Sequence, residues 1–504
     1  MQPTTSTTTA ADVPQRLLGR TAHLVDGVLL GVILVTVLLL RLPGWALPLE
    51  RDEGAYAYVA STWLHGGLPY RDAFDHKPPF IYLLYMPALL TNLSPVLSIR
   101  LWSTALCLVN ASLVYIVGRH VWNARTALLG ALIFGIAGSA FELQGLVLNT
   151  DQALVLPALA ALWSAINLGA TQQLRFAIAL GAAVTAGVLI KPVALVLGLL
   201  VVLTGLYMRR NIVKVLGGTA LGVFAVAAPT VAYFWARGGW SHLLFSVVTY
   251  NRLYADEARI RWQFGPLVDM FVPFVPLLLV ALGGIALLRS HPTAEQRAGW
   301  LVVGWTAALL AAAVGSLRAF IHYYYPVLPG LALLAAPCVA WLWDQGRAAT
   351  KPEWLAGRTA SVLLATLLVL PLAVQNIKLV GTTPEQQAIR LYGDAGKRFF
   401  APAPNVAAYI REHTQADDYI YVFAAEPEVY VLAQRRSPSR YIYNYPLELL
   451  PQAAAELSHD LRVKPPKLVI AYSGLQPDML TSDPYLAKFS KLTEIGGYAV
   501  FGIK

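Results

Sequence analysis

Apolar runs about twenty residues long recur along this chain as far as about residue 378, and few folds accept such a pattern. In hydrocarbon every backbone N–H and C=O has to be paired within the protein, so a chain with repeated runs of that length crosses the bilayer as a set of helices. Composition agrees: of 504 residues, 57% are hydrophobic and 13% charged, where a soluble domain carries roughly 25% charged residues. The net charge of +10 is scattered and follows no helix face, which fits basic cytoplasmic loops and excludes a nucleic-acid surface. Cys107 and Cys338 both lie in apolar runs and imply neither a disulfide framework nor a metal site.

Hydropathy places spans at 24–44, 97–118, 126–141, 152–169, 175–190, 192–208, 214–236, 266–288, 299–315, 322–344 and 357–377. The stretch 79–93 opens on Pro78-Pro79, contains Pro87 and is short for a bilayer of about 30 Å. It reads as an interfacial or re-entrant helix. With the N-terminus inside and about eleven spans, the loops "GRHVWNAR", "TQQLR", "MRRNIVK", "RSHPTAEQR" and "DQGRAATKPEWLAGR" all fall inside, as positive charge demands. Counting 79–93 as a further span would put "GRHVWNAR" and "MRRNIVK" outside. The Thr/Pro-rich segment 1–20 reads as a disordered cytoplasmic tail, and 21–380 as the transmembrane domain with a first outer loop at 45–96.

From 381 to 504 the pattern changes to alternating strand and helix signals, which predicts a small α/β domain outside the membrane. Strands are expected in "DYIYVFAA", "RYIYNYP" and "KLVIAYS", with a closing hairpin in "LTEIGGYAVFGI". Helices are expected in "NVAAYIREHT", "EPEVYVLAQ" and "ELLPQAAAELSHDLR". The fold class is therefore a polytopic α-helical membrane protein with juxtamembrane helices and a C-terminal α/β domain.

Charged groups at membrane depth are costly, so those that remain are candidates for function. On this topology Asp52, Glu53, Asp75, Lys77, Glu142, Asp151, Lys191, Arg237, Arg252, Arg259, Arg261, Arg318 and His322 all face one side. A single polar cleft at the outer surface would collect them. Lys and Arg suit a phosphate, and a carboxylate beside a hydroxyl suits general-base catalysis. Each residue also has a plainer reading. Acids favour helix N-termini, Pro suits a first turn, and a lysine or tyrosine anchors at the interface. The common side and order of the set favour the cleft.

The stretch "RDEGAYAYVASTWLHGGLPYRDAFDHKPPF" resembles the first outer loop of the GT-C glycosyltransferases that use polyprenyl-phosphate sugars. Protein O-mannosyltransferases, lipid A aminoarabinose transferases and lipopolysaccharide galacturonosyltransferases are of this type. Asp52-Glu53, Tyr56 and Lys77-Pro78-Pro79 carry the likeness, followed in order by Asp151, by Lys191 ending a Gly-rich helix, and by Tyr323, Pro326 and Pro329. The likeness covers roughly residues 20 to 345. One departure is His76, where the aminoarabinose transferases carry Glu, so that subfamily's substrate does not carry over.

The resemblance implies an inverting transfer of sugar from a polyprenyl-phosphate donor to an acceptor hydroxyl on a glycan, lipid or protein, at the outer face of the cell membrane. Asp52 is then the general base, with Glu53 and Asp151 as further carboxylates. Lys77, Lys191, Arg318, Tyr323, Tyr56, His322, Arg259 and Arg261 hold the donor phosphate. From spacing alone, Glu53 or Asp151 is open as a nucleophile for a retaining path. No cofactor is demanded; two or three carboxylates suffice for a divalent ion, but no ligand spacing requires one. A secondary transporter would place its charges at the midplane between repeated halves, and neither is seen. A lipid-linked polymer ligase, with a pyrophosphate leaving group, would not need the Asp-Glu start.

Overall fold

The computed structural model describes residues 12–208, 211–254, 272, 275–290, 293–315, 320–348, 353–473 and 483–503. The first helix, α1 (Asp12–Arg41), begins inside the segment expected as a tail. Next come the juxtamembrane helices α2 (Arg51–Leu64) and α3 (Phe80–Leu89). The bundle continues with α4 (Pro95–Val121), α5 (Ala124–Ala137), α6 (Thr150–Thr171), α7 (Leu174–Val188), α8 (Gly198–Tyr207), α9 (Ile212–Ala236) and the short α10 (Trp240–Leu244). It ends with α11 (Val275–Leu287), α12 (Thr293–Gly315), α13 (Leu328–Ala348) and α14 (Glu353–Ile377).

Seven described helices are long and apolar enough to cross a membrane, and shorter apolar helices occupy the remaining expected spans. The questioned stretch is the ten-residue α3, too short to cross at 1.5 Å per residue. Where lipid offers no hydrophobic drive between helices, small residues let backbones close up. A Cβ on Gly181 of α7 would lie 2.0 Å from the Thr219 carbonyl oxygen of α9, so only glycine fits that crossing.

The C-terminal domain follows through α15 (Pro384–Ala395) and α16 (Ala403–His413). Its sheet runs β1-β2-β4-β3, from β1 (Tyr419–Phe423), β2 (Pro466–Tyr472), β3 (Phe489–Ile495) and β4 (Tyr498–Ile503). β1 and β2 pair in parallel and the β3–β4 hairpin is antiparallel. Helices α17 (Glu428–Ala433), α18 (Tyr445–Leu449) and α19 (Ala453–Val463) fill the crossover. Two expectations change here. "RYIYNYP" forms no strand, but an irregular segment leading into α18, and the helix expected across Pro451 is broken there into α18 and α19.

Two large clusters hold most of the buried apolar side chains. One cluster fills the bundle. A second joins Tyr56, Leu68, Phe74 and Tyr82 of the first outer loop to Val406, Ile420, Val429 and Val500 of the C-terminal domain. The domain therefore has no separate core on that face; it shares one with α2 and α3. At the closest point a Cβ on Gly54 of α2 would lie 2.3 Å from the Glu428 backbone nitrogen.

Candidate active site

Local chemistry at the start of α2 decides which acid faces where. Glu50 caps the helix, accepting the N–H groups of Asp52 and Glu53 at 3.1 Å each. Asp52 and Tyr56 then lie one turn apart on the same face, and the Tyr56 hydroxyl donates to Asp52 Oδ2 at 3.2 Å. Glu53 points the other way. It is fully buried and takes both ends of the Arg100 guanidinium, with Nη2–Oε2 at 2.8 Å, plus the Leu148 N–H at 2.8 Å. Arg100 also donates to the Pro48 carbonyl at 2.9 Å. Glu53 thus belongs to a sealed strut between α2 and α4, with its lone pairs taken by Arg100 and backbone.

The "DHKPP" turn is held by its own backbone and by tyrosines. Tyr70 donates to the Lys77 carbonyl at 2.8 Å, and Tyr82 Oη lies 3.0 Å from both that oxygen and Asp75 Oδ2. Phe80 N–H bonds the Leu189 carbonyl at 2.9 Å, tying the start of α3 to the end of α7. Lys77 Nζ lies 2.8 Å from His76 Nε2, and His76 Nδ1 lies 3.3 Å from Asp75 Oδ1. Burial, then the charge of Lys77, holds the His76 imidazole below the ordinary histidine value. Burial pushes the Asp75 carboxyl up, but its hydrogen bond to His76 and the charge of Lys77 outweigh that and leave it below the usual range.

A third group stands at the mouth of α6, where Asn149 caps the helix by accepting the Asp151 and Gln152 N–H groups at 3.0 and 2.9 Å. Asp151 is buried and receives Lys191 Nζ at 2.7 and 2.8 Å on its two oxygens. The same ammonium lies 3.8 Å from the Tyr323 ring centre, a cation–π contact. His322 Nε2 is 3.9 Å from Asp151 Oδ2.

These groups border one cleft of about 280 Å³. Asp52, His76, Lys77, His322 and Tyr323 line it from the membrane domain; Pro427, Tyr443 and Tyr445 line it from the C-terminal domain. Asp151 and Lys191 border a small void of about 40 Å³ that shares Tyr323 with the cleft. Arg51, at the cleft edge, donates to Glu426 at 2.7 Å and to the Tyr445 hydroxyl at 3.2 Å. Among the described residues no group of three or more His, Cys, Asp or Glu side chains is arranged to hold a metal ion.

The whole chain superposes on solved structures with few identities. ArnT from Cupriavidus metallidurans bound to undecaprenyl phosphate matches with a TM-score of 0.60 and 15% identity, over 93% of this chain and 97% of that one. Its apo state gives the same score over 96% and 98%. The archaeal oligosaccharyltransferase AglB from Archaeoglobus fulgidus, in complex with an inhibitory peptide and a dolichol-phosphate, matches with a TM-score of 0.55 and 14% identity, over 89% and 69%.

The chain has the GT-C fold.

Residues 75–235 of this GT-C chain also match the family model of dolichyl-phosphate-mannose-protein mannosyltransferase. No curated protein sequence matches the chain. Of the expected site residues, the GT-C fold brings Asp52, Lys77, His322 and Tyr323 to one cleft, sets Tyr56 behind Asp52, and puts Asp151 and Lys191 in the adjoining void. Arg259, Arg261 and Arg318 lie outside the described residues. Sequence reasoning missed Arg51, Tyr443 and Tyr445. The dense tyrosines of "RYIYNYP" are the available signal, although their alternation predicts a strand.

Proposed function

We propose that this chain is a membrane glycosyltransferase that moves a sugar from a polyprenyl-phosphate donor to an acceptor hydroxyl, with Asp52 as the general base. The observation that carries this reading is the state of the acids around the cleft. Glu53 is sealed by Arg100, Asp151 is paired with Lys191, and Asp75 is enclosed by His76, Tyr82 and Tyr443. Glu50 also lines the cleft but is spent on the helix cap. Among the described residues Asp52 lines it with a single tyrosine hydroxyl on it and no cation within ion-pair distance. The acceptor O–H gives its proton to Asp52 as its oxygen attacks C1 of the sugar, and the C1–O bond to phosphate breaks. The phosphate leaves with the bonding pair, so no general acid is needed, and Lys77 with its neighbours stabilises the added charge. Among the described residues the other acids of the cleft, Glu50 and Asp75, are already held by the Asp52 and Glu53 N–H groups and by Tyr82 and Tyr443, which favours a single inverting displacement. The donor class is supported by the cleft's cation and aromatic lining and by undecaprenyl phosphate and dolichol-phosphate in structures of the same fold. The basic charge of the loops on the opposite side supports chemistry on the outer face.

The test is transfer by purified protein from a panel of polyprenyl-phosphate sugars. Asp52→Asn should remove activity by about 10²–10⁴-fold while the protein keeps its melting temperature, since only the base is lost. Retention of more than about a tenth of the wild-type rate removes Asp52 from the mechanism.

A further inference from the structure

A chain of polar contacts runs from the C-terminal domain to the Lys77 ammonium. Tyr443, buried before α18, donates from Oη to Asp75 Oδ1 at 3.1 Å. His76 Nδ1 reaches the same oxygen at 3.3 Å, and its Nε2 faces Lys77 Nζ at 2.8 Å. A lysine ammonium has only donors, so the nitrogen facing it has to accept, and the imidazole proton belongs on Nδ1 toward Asp75. The backbone here is equally constrained: Tyr70 and Tyr82 hold the Lys77 carbonyl, and Asn251 Nδ2 donates to the His76 carbonyl at 2.8 Å. The rings of Tyr250 and Tyr254 pack 5.7 and 5.0 Å from the imidazole centre.

We propose that His76 and Tyr443 are positioning residues for Lys77. The chain Tyr443–Asp75–His76 takes one ammonium N–H into the protein and leaves the other two directed at a phosphate in the cleft. The inference rests on the polyprenyl-phosphate reading above and makes the C-terminal domain part of the donor site. A lysine has four rotatable side-chain bonds, and fixing them before the ligand arrives removes that entropy cost from binding. The accepting role requires a neutral imidazole. Its charged and titratable neighbours are Asp75 and Lys77 on its own turn, Asp52 from α2, Tyr443 from the C-terminal domain, and Tyr250 and Tyr254. Burial and Lys77 keep the ring neutral near pH 7. A histidine kept only for packing has no reason to turn its second nitrogen to a cleft-lining lysine.

The experiment is a double-mutant cycle on the affinity of a polyprenyl phosphate for the purified full-length chain near pH 7. Lys77→Ala should weaken binding at least about tenfold. His76→Ala and Tyr443→Phe should each weaken it about three- to thirtyfold when Lys77 is present, and by less than about twofold in the Lys77→Ala background. His76→Gln, whose Oε1 accepts from Lys77 and cannot titrate, should stay within about threefold of wild type. Equal losses in both backgrounds, or wild-type affinity in His76→Ala and Tyr443→Phe, would overturn the inference while leaving the donor reading intact. Failure of the wild-type chain to bind polyprenyl phosphate would overturn both. Tyr443→Phe keeps the ring packing and decides the matter alone if His76→Ala does not fold.

Discussion

At the scale of single residues, four acids that look interchangeable in the sequence have four different fates. Asp52 stays in the cleft because Glu50, two residues earlier, takes the cap position and leaves the Asp52 side chain free of the helix end. Glu53, its neighbour, is turned by 100° of helix into a pocket where Arg100 waits. Both partners are shielded from water, so removing one leaves an uncompensated buried charge, whereas replacing both with apolar groups often costs little. Arg100→Leu should therefore destabilise the protein by about 3–5 kcal/mol, and Glu53→Leu with Arg100→Leu by clearly less. Thermal unfolding in detergent measures both. A single variant as stable as wild type would show that the pair is no strut.

Among elements, the decisive contact is α2 against α17. Gly54 lets the two backbones touch, and Glu428 at the start of α17 is fully buried there, with both carboxyl oxygens lacking a hydrogen-bond partner among the described residues. Burial, reinforced by nearby Glu426, raises its pKa well above 4.5. The sign follows from linkage. A carboxyl with a raised folded-state pKa favours folding when protonated, so this contribution is complete below the unfolded value and is lost as pH rises through the folded one. Glu428→Gln, which stays neutral, should be more stable than wild type at pH 8, with the gap closing toward pH 5. Melting curves across that range check it, and a gap independent of pH would mean Glu428 is ionised in the fold.

Over the whole molecule, the shared core sets the sidedness. Residues of 45–96 and of 403–500 are buried against one another, so the two segments should share a side of the bilayer, and loop charge predicts the other side for the basic "MRRNIVK" before α9. Single cysteines at exposed Arg71 and Glu412, in a C107S/C338S background, should label from one side and a cysteine at Lys214 from the other. Labelling of positions 71 and 214 from the same side would sink the topology, and with it the single-cleft account.

Much of this was legible in one sequence because membrane folding is ruled by local quantities. Run length and loop charge identify spans and their order, and each expected span coincides with a helix wherever residues are described. The short α3, the final hairpin and the strand at "KLVIAYS" were equally readable, since period and turn residues act over a few positions. The acids and lysines of the cleft could be gathered by side. Which acid remained free could not, because that depends on partners 47 residues away for Glu53 and 40 for Asp151. Tyr443 lies 368 residues from Asp75. No local pattern marks that contact; it exists only once the C-terminal domain has buried its apolar face against α2. Sequence alone determined that this chain crosses the membrane many times and which charged residues are candidates for one cleft. Tertiary structure decided which of those charges cancel one another and which are left to act, because pairing is a matter of distance in space and burial, and neither is a property of any short stretch of chain.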